Sequence, residues 1–483
     1  MRSFVLSISL LVLFFSQSVF AQPPATEWTQ AIGGPSAEAA YSVIQTSNGD
    51  FVVVGITDSY GSGNGDIYMV KTDSSGDTIW WRAFGGTEVD QGYSVQETSD
   101  GGFIIAGSSK SFGAGDYEAY LVKTSSSGNV EWSKVYGGTY PEHGNSVLQT
   151  SDGGYIVAGS TSSFGAGGID VYLVKTDASG IVMWAKAFGG TGDEEAQSIQ
   201  QTDDGGYIIA GRTTSSGAGS SDVYLIKTDS DGNSLWTRTF GGSSYDNANS
   251  VEQTSDGGYI ITGRYESANS VIKLYLIKTD SYGDAVWSKT IECNDYAVGE
   301  SVGETTDGGF IIAGFTVFGT TNIDALLIKT DVNGDTLWTA AYGGTGSEAG
   351  YSVQQTNDEG YIIAGMTNSP GADSIDVYLI KLETDTGIEE AHGVNPMLAL
   401  ETAGPNPFSS SLTITYSIPE QSRVELAVFD LTGRLVEELV NDQRSGGTHS
   451  VVWSPTVETP NGYYLIRLDA CGFSKAVRCL RLN

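Results

Sequence analysis

Residues 198–236 read SIQQTDDGGYIIAGRTTSSGAGSSDVYLIKTDSDGNSLW, and close variants of this stretch recur along most of the chain. Runs of β-branched and aromatic residues alternate with Asp-Gly-Gly and Asp-x-x-Gly, which are typical of hairpin turns. With the tryptophan-containing run that follows, the unit predicts four short antiparallel strands. Four such strands in about 50 residues make one blade of a β-propeller.

The number of units and their phase predict a closed ring. Seven tryptophans recur at intervals of 51 or 52 residues: Trp28, Trp80, Trp132, Trp184, Trp236, Trp287 and Trp338. The serine that opens the unit also occurs seven times: Ser42, Ser94, Ser146, Ser198, Ser250, Ser301 and Ser352. The first tryptophan run precedes the first complete unit, and the seventh unit lacks one. We therefore expect the N-terminal strand to complete the seventh blade and pair its open edge. A solenoid, the alternative, would need capping repeats at both ends.

The composition fits an all-β chain with many tight turns. Gly accounts for 64 of 483 residues, without the periodicity of collagen, and long helical periodicity is absent. The chain has 58 Asp and Glu against 24 Lys and Arg, a net charge of −34, and residues 22–391 carry nearly all of the excess. This acidity argues against nucleic acid and against anionic membrane surfaces as partners.

Two repeated motifs resemble known propeller families. The run Lys-Thr-Asp-x-x-Gly-x-x-x-Trp resembles the tryptophan-docking repeat of quinoprotein-like propellers, with a turn that is one residue shorter. The Gly-Tyr-Ile-Ile-Ala-Gly runs are similar to those of bacterial surface propellers. The resemblance implies how one hairpin of each blade packs. It does not imply a quinone, and we expect no cofactor.

The two ends of the chain differ from the repeats. Residues 1–21 combine Arg2, an apolar run and Val19-Phe20-Ala21, which predicts a cleaved signal peptide. No later run reaches the ~18 apolar residues of a membrane span. We expect the propeller over residues 22–388, a linker over 389–403 and a second domain over 404–483.

The second domain is predicted to be a small Ig-like β-sandwich. Five alternating runs indicate its strands: 412–418, 423–430, 449–453, 463–468 and 475–482. Its motifs resemble the type A C-terminal sorting domain of type IX secretion, and the motif residues are Pro405, Asn406, Pro407, Phe408, Asp430, Gly433, Arg434, Gly462 and Tyr463. The resemblance implies the type IX secretion machinery as a partner and a secreted protein at the outer-membrane surface or outside the cell. The alternative is a plain sandwich, because flagellar hook-assembly proteins contain a related module.

Carboxylates recur at two positions of the repeat, both near the face that bears the long loops. One set lies four residues before the repeated serine: Glu38, Asp90, Glu142, Glu194, Asp246 and Glu348. The other set precedes the third strand: Asp66, Glu118, Asp170, Asp222, Asp324 and Asp376. Carboxylates repeated in this way either accept backbone N–H bonds that fix the loops or form an acidic face for cationic ligands.

The sequence predicts no catalytic residue and no metal site. No Cys/His cluster has zinc spacing, and the Asp-rich hairpin tips lack the Gly and Glu of a calcium loop. His143 is the one His of the repeats and has no nucleophile elbow to serve. Twelve equivalent carboxylates select no glycosidase pair.

A ligand site should break the symmetry of the ring, and three neighbouring inter-blade loops depart most from the repeat. The predicted ligand-binding residues are Tyr140, Glu142, His143, Asp193, Glu194, Glu195, Tyr245 and Asp246. Aromatic rings offer stacking area, and carboxylates bind hydroxyls or amines. We predict an exported binding or structural module whose extracellular ligand is a glycan or a protein. The alternatives are a secreted carbohydrate-active hydrolase or lyase on the same scaffold and, with no cofactor motif to support it, a quinoprotein-like oxidoreductase.

Overall fold

The computed structural model describes residues 23–114, 116–291, 296–318, 322–369, 374–385, 399–404, 408–418, 422–430, 434–456, 459–470 and 473–482. In this part of the chain the secondary structure consists of β-strands and turns, without a helix. The chain divides into two compact units, Met1–Ile388 and Glu389–Asn483. The predicted signal peptide over residues 1–21 lies outside the described residues.

The first unit contains seven four-stranded antiparallel sheets, which confirms the seven-bladed propeller. Six blades each use four consecutive strands. Blades 1 to 3 are formed by β2 (Glu38–Gln45), β3 (Phe51–Thr57), β4 (Asp66–Thr72), β5 (Thr78–Phe84), β6 (Asp90–Glu97), β7 (Phe103–Ser109), β8 (Glu118–Thr124), β9 (Val130–Tyr136), β10 (Glu142–Gln149), β11 (Tyr155–Thr161), β12 (Asp170–Thr176) and β13 (Val182–Phe188). Blades 4 to 6 are formed by β14 (Glu194–Gln201), β15 (Tyr207–Thr213), β16 (Asp222–Thr228), β17 (Ser234–Phe240), β18 (Asn247–Gln253), β19 (Tyr259–Glu266), β20 (Ile272–Thr279), β21 (Ala285–Ile291), β22 (Ala297–Glu304), β23 (Phe310–Phe318), β24 (Asn322–Thr330) and β25 (Thr336–Tyr342).

The seventh blade joins the two ends of the propeller. It consists of β26 (Glu348–Gln355), β27 (Tyr361–Thr367), β28 (Asp376–Leu382) and the N-terminal strand β1 (Thr26–Ile32). Strand β1 pairs antiparallel with β28 and places Trp28 opposite Lys381. The predicted closure by the N-terminal strand is therefore confirmed.

Aromatic pairs join each blade to the next. Trp28 of the seventh blade packs against Phe51 of the first, with ring centroids 5.9 Å apart. The equivalent pairs are Trp80–Phe103, Trp132–Tyr155, Trp184–Tyr207, Trp236–Tyr259, Trp287–Phe310 and Trp338–Tyr361. The Phe or Tyr of every pair is fully buried, and such burial stabilises by about 1.5–3 kcal/mol per ring.

Two rings of hydrogen bonds link neighbouring first strands. In the serine ring, the repeated serine Oγ accepts the backbone N–H of the next blade at 3.1–3.3 Å, and Ser352 closes the ring by accepting from Val43. In the turn ring, a Gln or Glu side chain accepts the N–H of a hairpin turn in the preceding blade at 2.6–3.0 Å. Its members are Gln45, Glu97, Gln149, Gln201, Gln253, Glu304 and Gln355.

A β-bulge interrupts every first strand at the same place. The pairing of β2 with β3 skips from Ala40 to Ser42, and the other six blades show the same shift. The residue directly before each repeated serine is left without a cross-strand partner. A bulge of this kind changes the direction of the side chain that it carries.

The second unit contains two sheets of three and four strands. In pairing order they are β29 (Ala399–Gly404), β30 (Leu412–Ile418) and β33 (Gly447–Trp453), then β32 (Leu435–Arg444), β31 (Ser422–Asp430), β34 (Gly462–Ala470) and β35 (Phe473–Arg481). Two strands were not among the five predicted. Strand β29 begins within the predicted linker because Leu400 enters the core, and β32 shows little of the alternation by which strands are recognised.

Candidate functional site

The repeated carboxylates fix the loops of the propeller. The set before the serines is buried, and each member accepts the N–H of the second Gly in the preceding inter-blade loop at 2.6–2.8 Å. Three predicted ligand-binding residues, Glu142, Glu194 and Asp246, belong to this set. Their side chains therefore point into loop backbone, which agrees with the loop-fixing interpretation of the repeat.

The second carboxylate set approaches the first at the boundaries between blades. The Asp66 Oδ2 accepts the N–H of Ser62 at 2.7 Å. Burial, opposed by backbone hydrogen bonds and reinforced by Asp90, raises the pKa of Asp66. A Cβ on Gly85 would collide with both carboxylates, so glycine is needed at this point. Among the described residues, no group of three or more His, Cys, Asp or Glu side chains is arranged to hold a metal ion.

The bulged residues of the seven first strands form one level of the central channel. We call this set the channel ring, and in blade order it consists of Tyr41, Tyr93, Asn145, Gln197, Asn249, Glu300 and Tyr351. Three tyrosines from blades 7, 1 and 2 are therefore neighbours, and amide or carboxyl side chains occupy blades 3 to 6. The channel ring is chemically uneven although the strands that present it are equivalent.

All seven members of the channel ring line a cavity of about 690 Å³. The remaining lining residues come mainly from the loop side of blades 2 to 4: Gln91, Pro141, His143, Ser160, Ser162, Ile169 and Glu195. The cavity therefore extends from the channel towards the face that bears the long loops. Its volume suits a small ligand of a few rings or residues.

Some side chains of the cavity wall already have hydrogen-bond or ion-pair partners within the protein. The His143 Nδ1 lies 2.8 Å from Ser108 Oγ, and burial lowers the pKa of His143 despite the opposing effect of Glu195. The Glu195 carboxylate binds Arg212 at 2.5 Å. The hydroxyl of Tyr93 donates to Gln91, and burial raises the pKa of Tyr93 to about 12.

Three members of the channel ring have no such partners. Among the described residues, Tyr41, Gln197 and Glu300 make no hydrogen bond or ion pair through their side chains. Burial raises the pKa of Glu300 to about 7. These polar groups face the cavity, where water or a ligand can satisfy them.

The structure brings two of the eight predicted ligand-binding residues into the cavity, His143 and Glu195. The other six lie outside its lining, and three of them are the loop-fixing carboxylates described above. Tyr140 is 62% exposed on its loop, Asp193 accepts the N–H of Ile169 at 3.0 Å, and Tyr245 lies beneath the guanidinium of Arg264 at 4.9 Å.

The sequence interpretation missed the channel ring. The signal was present, because the residue before the repeated serine reads Tyr, Tyr, Asn, Gln, Asn, Glu and Tyr in the seven units. The bulge that turns these side chains inward is not visible in the sequence pattern of a single unit.

The C-terminal motif residues that are described contribute to the core and pairing of the second unit. Phe408 is buried against Trp453, with ring centroids 5.3 Å apart, and its backbone bonds to Leu480 and Leu482. Tyr463 is exposed, and Arg434 directly precedes β32. Pro405, Asn406, Pro407 and Gly433 lie outside the described residues, as does the side chain of Asp430.

Comparison with known proteins identifies the C-terminal part of the chain. Residues 404–478 match the family model described as the secretion system C-terminal sorting domain. The chain thus carries a type IX sorting domain, which indicates secretion to the cell surface or the extracellular space. In the described residues, no helix is long and apolar enough to cross a membrane.

Similarity over the propeller is more distant. The regulatory protein FlaEY of Caulobacter vibrioides is 24% identical over 342 residues, which cover 56% of this chain and 35% of that protein. The chain therefore spans about a third of the length of this relative.

Solved structures that the chain matches include a fungal alcohol oxidase of the AA5 family in complex with copper, at 13% identity and a TM-score of 0.48. The match covers 95% of this chain and 100% of that chain. A puromycin hydrolase has 12% identity and a TM-score of 0.47 over 79% and 58% of the two chains. An endo-1,5-alpha-L-arabinanase from Thermotoga petrophila has 12% identity and a TM-score of 0.29 over 74% and 100%.

Proposed function

We propose that the chain is an exported binding protein that takes its extracellular ligand into the cavity at the channel ring. The sorting domain provides the route out of the cell. The propeller provides a rigid frame with a cavity on the side of the long loops. The observation that supports binding is the uneven chemistry of the channel ring.

Positions that serve the scaffold are nearly the same in every blade. The serine ring uses Ser seven times, and the turn ring uses Gln or Glu seven times. The channel ring instead carries four residue types on equivalent strands. Packing of the ring does not require this variety, whereas recognition of an asymmetric ligand does.

The side chains without partners favour binding over a purely structural role. Tyr41, Gln197 and Glu300 are half-buried, make no hydrogen bond or ion pair with the described residues, and all line the cavity. Their polar atoms are therefore available to a ligand. His143 and Glu195 form the adjoining wall, and we propose that they contact the ligand as well.

The test is a ligand screen on the full chain with a panel of oligosaccharides and peptides, scored for binding by NMR and for cleavage by product analysis. Asn145→Trp fills the cavity from within the channel ring. We expect this variant to lose the binding that the wild-type protein shows, with unchanged circular dichroism.

The matched control is the double variant Tyr140→Ala with Tyr245→Ala, which alters the loops outside the cavity lining. We expect it to retain binding. Loss of binding in the loop variant together with retention in Asn145→Trp would place the ligand on the loops and overturn the proposal. Cleavage of a panel compound by the wild-type protein but not by Asn145→Trp would favour the hydrolase or lyase alternative over a binding function.

A further inference from the structure

We infer that the channel ring is a site for an organic ammonium cation, meaning a ligand that presents a protonated amino group on an alkyl chain. This inference rests on the proposed binding function and deepens it by naming the chemical class of the ligand. It is carried by the order of side chains around the ring. Three neighbouring tyrosines stand next to one carboxylate, that of Glu300, which has no counter-ion among the described residues.

The tyrosines form a continuous aromatic arc. The ring of Tyr41 lies between those of Tyr351 and Tyr93, with centroids 5.4 and 5.7 Å away. All three rings line the cavity. Faces of tyrosine rings attract ammonium groups, and the attraction strengthens when water is displaced, as in a cavity of this kind.

Glu300 of blade 6 directly precedes Tyr351 of blade 7 in the ring and supplies a negative group beside the arc. Burial raises the pKa of its carboxyl to about 7, and no neighbouring cation opposes this shift. None of the described residues that line the cavity is Lys or Arg. The nearby Arg212 is already held by Glu195 at 2.5 Å. A cationic ligand would provide the charge that the protein does not.

The opposite side of the ring offers hydrogen-bond acceptors. The Asn145 Nδ2 donates to Ala196 O at 2.8 Å, which leaves its Oδ1 to accept. The amide of Gln197 has no partner among the described residues. An ammonium group can donate to these oxygens, whereas an anion would be repelled by Glu300. The acidity of the propeller favours the approach of a cation.

The test uses three probes of equal chain length on the full chain: pentylamine, 1-pentanol and pentanoate. Titrations at pH 8 are followed by NMR. We expect saturable binding of pentylamine, binding of 1-pentanol that is at least tenfold weaker, and no binding of pentanoate. Equal affinity for pentylamine and 1-pentanol would overturn the cation assignment.

Glu300→Gln should weaken the binding of pentylamine at least tenfold. Asp231→Asn removes the same charge from an exposed hairpin tip and should leave binding unchanged, which controls for net charge. Thermal unfolding establishes that both variants are folded. Equal affinity in Glu300→Gln and the wild-type protein would contradict the inference.

The pH dependence gives a second readout. Pentylamine stays protonated between pH 5.5 and 8, while Glu300 ionises, so affinity should rise with pH in the wild-type protein and not in Glu300→Gln. Other titratable groups that line the cavity are His143, Glu195 and the three tyrosines. Glu252 on the neighbouring strand β18 also has a pKa raised to about 7, and Glu252→Gln should keep the dependence. Loss of the pH dependence in Glu252→Gln but not in Glu300→Gln would contradict the role of Glu300.

The ligand screen described under the proposed function distinguishes a wrong cation assignment from a wrong assignment of the binding function to the cavity. If Asn145→Trp abolishes binding of a panel ligand while 1-pentanol matches pentylamine, the cavity remains the site and the cation assignment is wrong. If Asn145→Trp retains all binding, the binding function of the cavity is wrong as well.

Discussion

The serine ring and the channel ring occupy adjacent residues of the same seven strands, yet they differ in kind. The serine ring repeats one residue and one hydrogen bond in every blade. The channel ring varies in residue type and leaves several polar groups without protein partners. In a repeat protein, positions that build the frame are constrained alike in every copy, and positions that serve a ligand need not be.

The largest effect should come from opening the frame. Deletion of residues 22–35 removes β1 and with it the pairing to β28 and the contact of Trp28 with Phe51. We expect loss of cooperative unfolding or aggregation, measured by calorimetry and light scattering, because an exposed strand edge invites pairing with other chains. A truncated protein that melts like the intact one would show that closure is dispensable.

Export should depend on the second unit and not on the rings. Deletion of residues 404–483, which contain the segment that matches the sorting domain, should keep the propeller folded but inside the periplasm of a host with type IX secretion. Cell fractionation and surface proteolysis measure this. Normal amounts at the cell surface would contradict the role of the segment. The channel variant Asn145→Trp serves as the control and should be exported normally.

The channel ring and the scaffold carboxylates should also make the free energy of unfolding depend on pH in opposite ways. Burial raises the folded-state pKa of Glu300 to about 7, so its ionisation lowers the free energy of unfolding as pH rises from about 4.5 to 7. Glu300→Gln should therefore be more stable than the wild-type protein by roughly 2 kcal/mol at pH 8 and about equal at pH 4. Denaturant unfolding at both pH values measures the difference. Equal stability at pH 8 would show that Glu300 is well solvated.

Scaffold carboxylates provide the contrast. In each blade a lysine binds an Asp of the first hairpin turn, as in Lys123–Asp100 at 2.9 Å, and in blades 2 to 7 this lysine is buried. Hydrogen bonds from Thr98 and Gly102, together with this lysine, lower the pKa of Asp100 to about 2. Such groups contribute stability above the unfolded-state pKa of about 4 and lose it as pH falls towards 2. The stability of the wild-type protein should therefore fall on both sides of an optimum: towards pH 2 as Asp100 and its equivalents are protonated, and towards pH 7 as Glu300 ionises.

Two glutamines of strand β14 offer a matched comparison. Gln201 accepts the N–H of Ser151 at 3.0 Å in the turn ring, and Gln197 belongs to the channel ring. Gln201→Ala should cost about 1 kcal/mol of unfolding free energy, whereas Gln197→Ala should change it by less than about 0.5 kcal/mol. Chemical denaturation checks both. A larger loss for Gln197→Ala would mean that the channel ring supports the frame after all.

The smallest effect concerns one irregularity of the frame. Six blades place Gly at the left-handed position of the first hairpin turn, but the seventh has Glu359 with φ of 64°. Glu359→Gly should raise the free energy of unfolding by about 0.5–1 kcal/mol, because an L side chain is disfavoured there. Gly308→Ala in the sixth blade is the converse variant and should destabilise. A loss of stability in Glu359→Gly would indicate that the side chain makes a stabilising contact.

The fold could be predicted because its determinants are local and repeated. Seven tryptophans set the number of blades, the turn sequences set the hairpins, and the position of Trp28 ahead of the first complete unit set the closure. The prediction failed for β32 in the second unit. Residues 435–444 lack an alternating pattern, and the strand forms as the edge partner of β31, the strand just before it in the chain.

The candidate site could be predicted only in part. His143 and Glu195 stood out as departures from the repeat and do line the cavity. Glu142 and its equivalents were predicted to bind the ligand through their carboxylates, but these carboxylates accept hydrogen bonds from the backbone of the loops. Glu300 was not among the predicted residues, because its place in the cavity depends on a bulge and on ring closure, and neither is a property of a single repeat.

Closure by β1 also constrains the order of folding. The partner of Trp28 in the seventh blade is Lys381, so the first strand to leave the ribosome is among the last to find its neighbour. Such high contact order slows folding and leaves β1 unpaired until β28 has been made. Chaperones that bind unpaired strands would act on this chain at its N-terminus, and the rate of maturation should depend on how long that strand is protected.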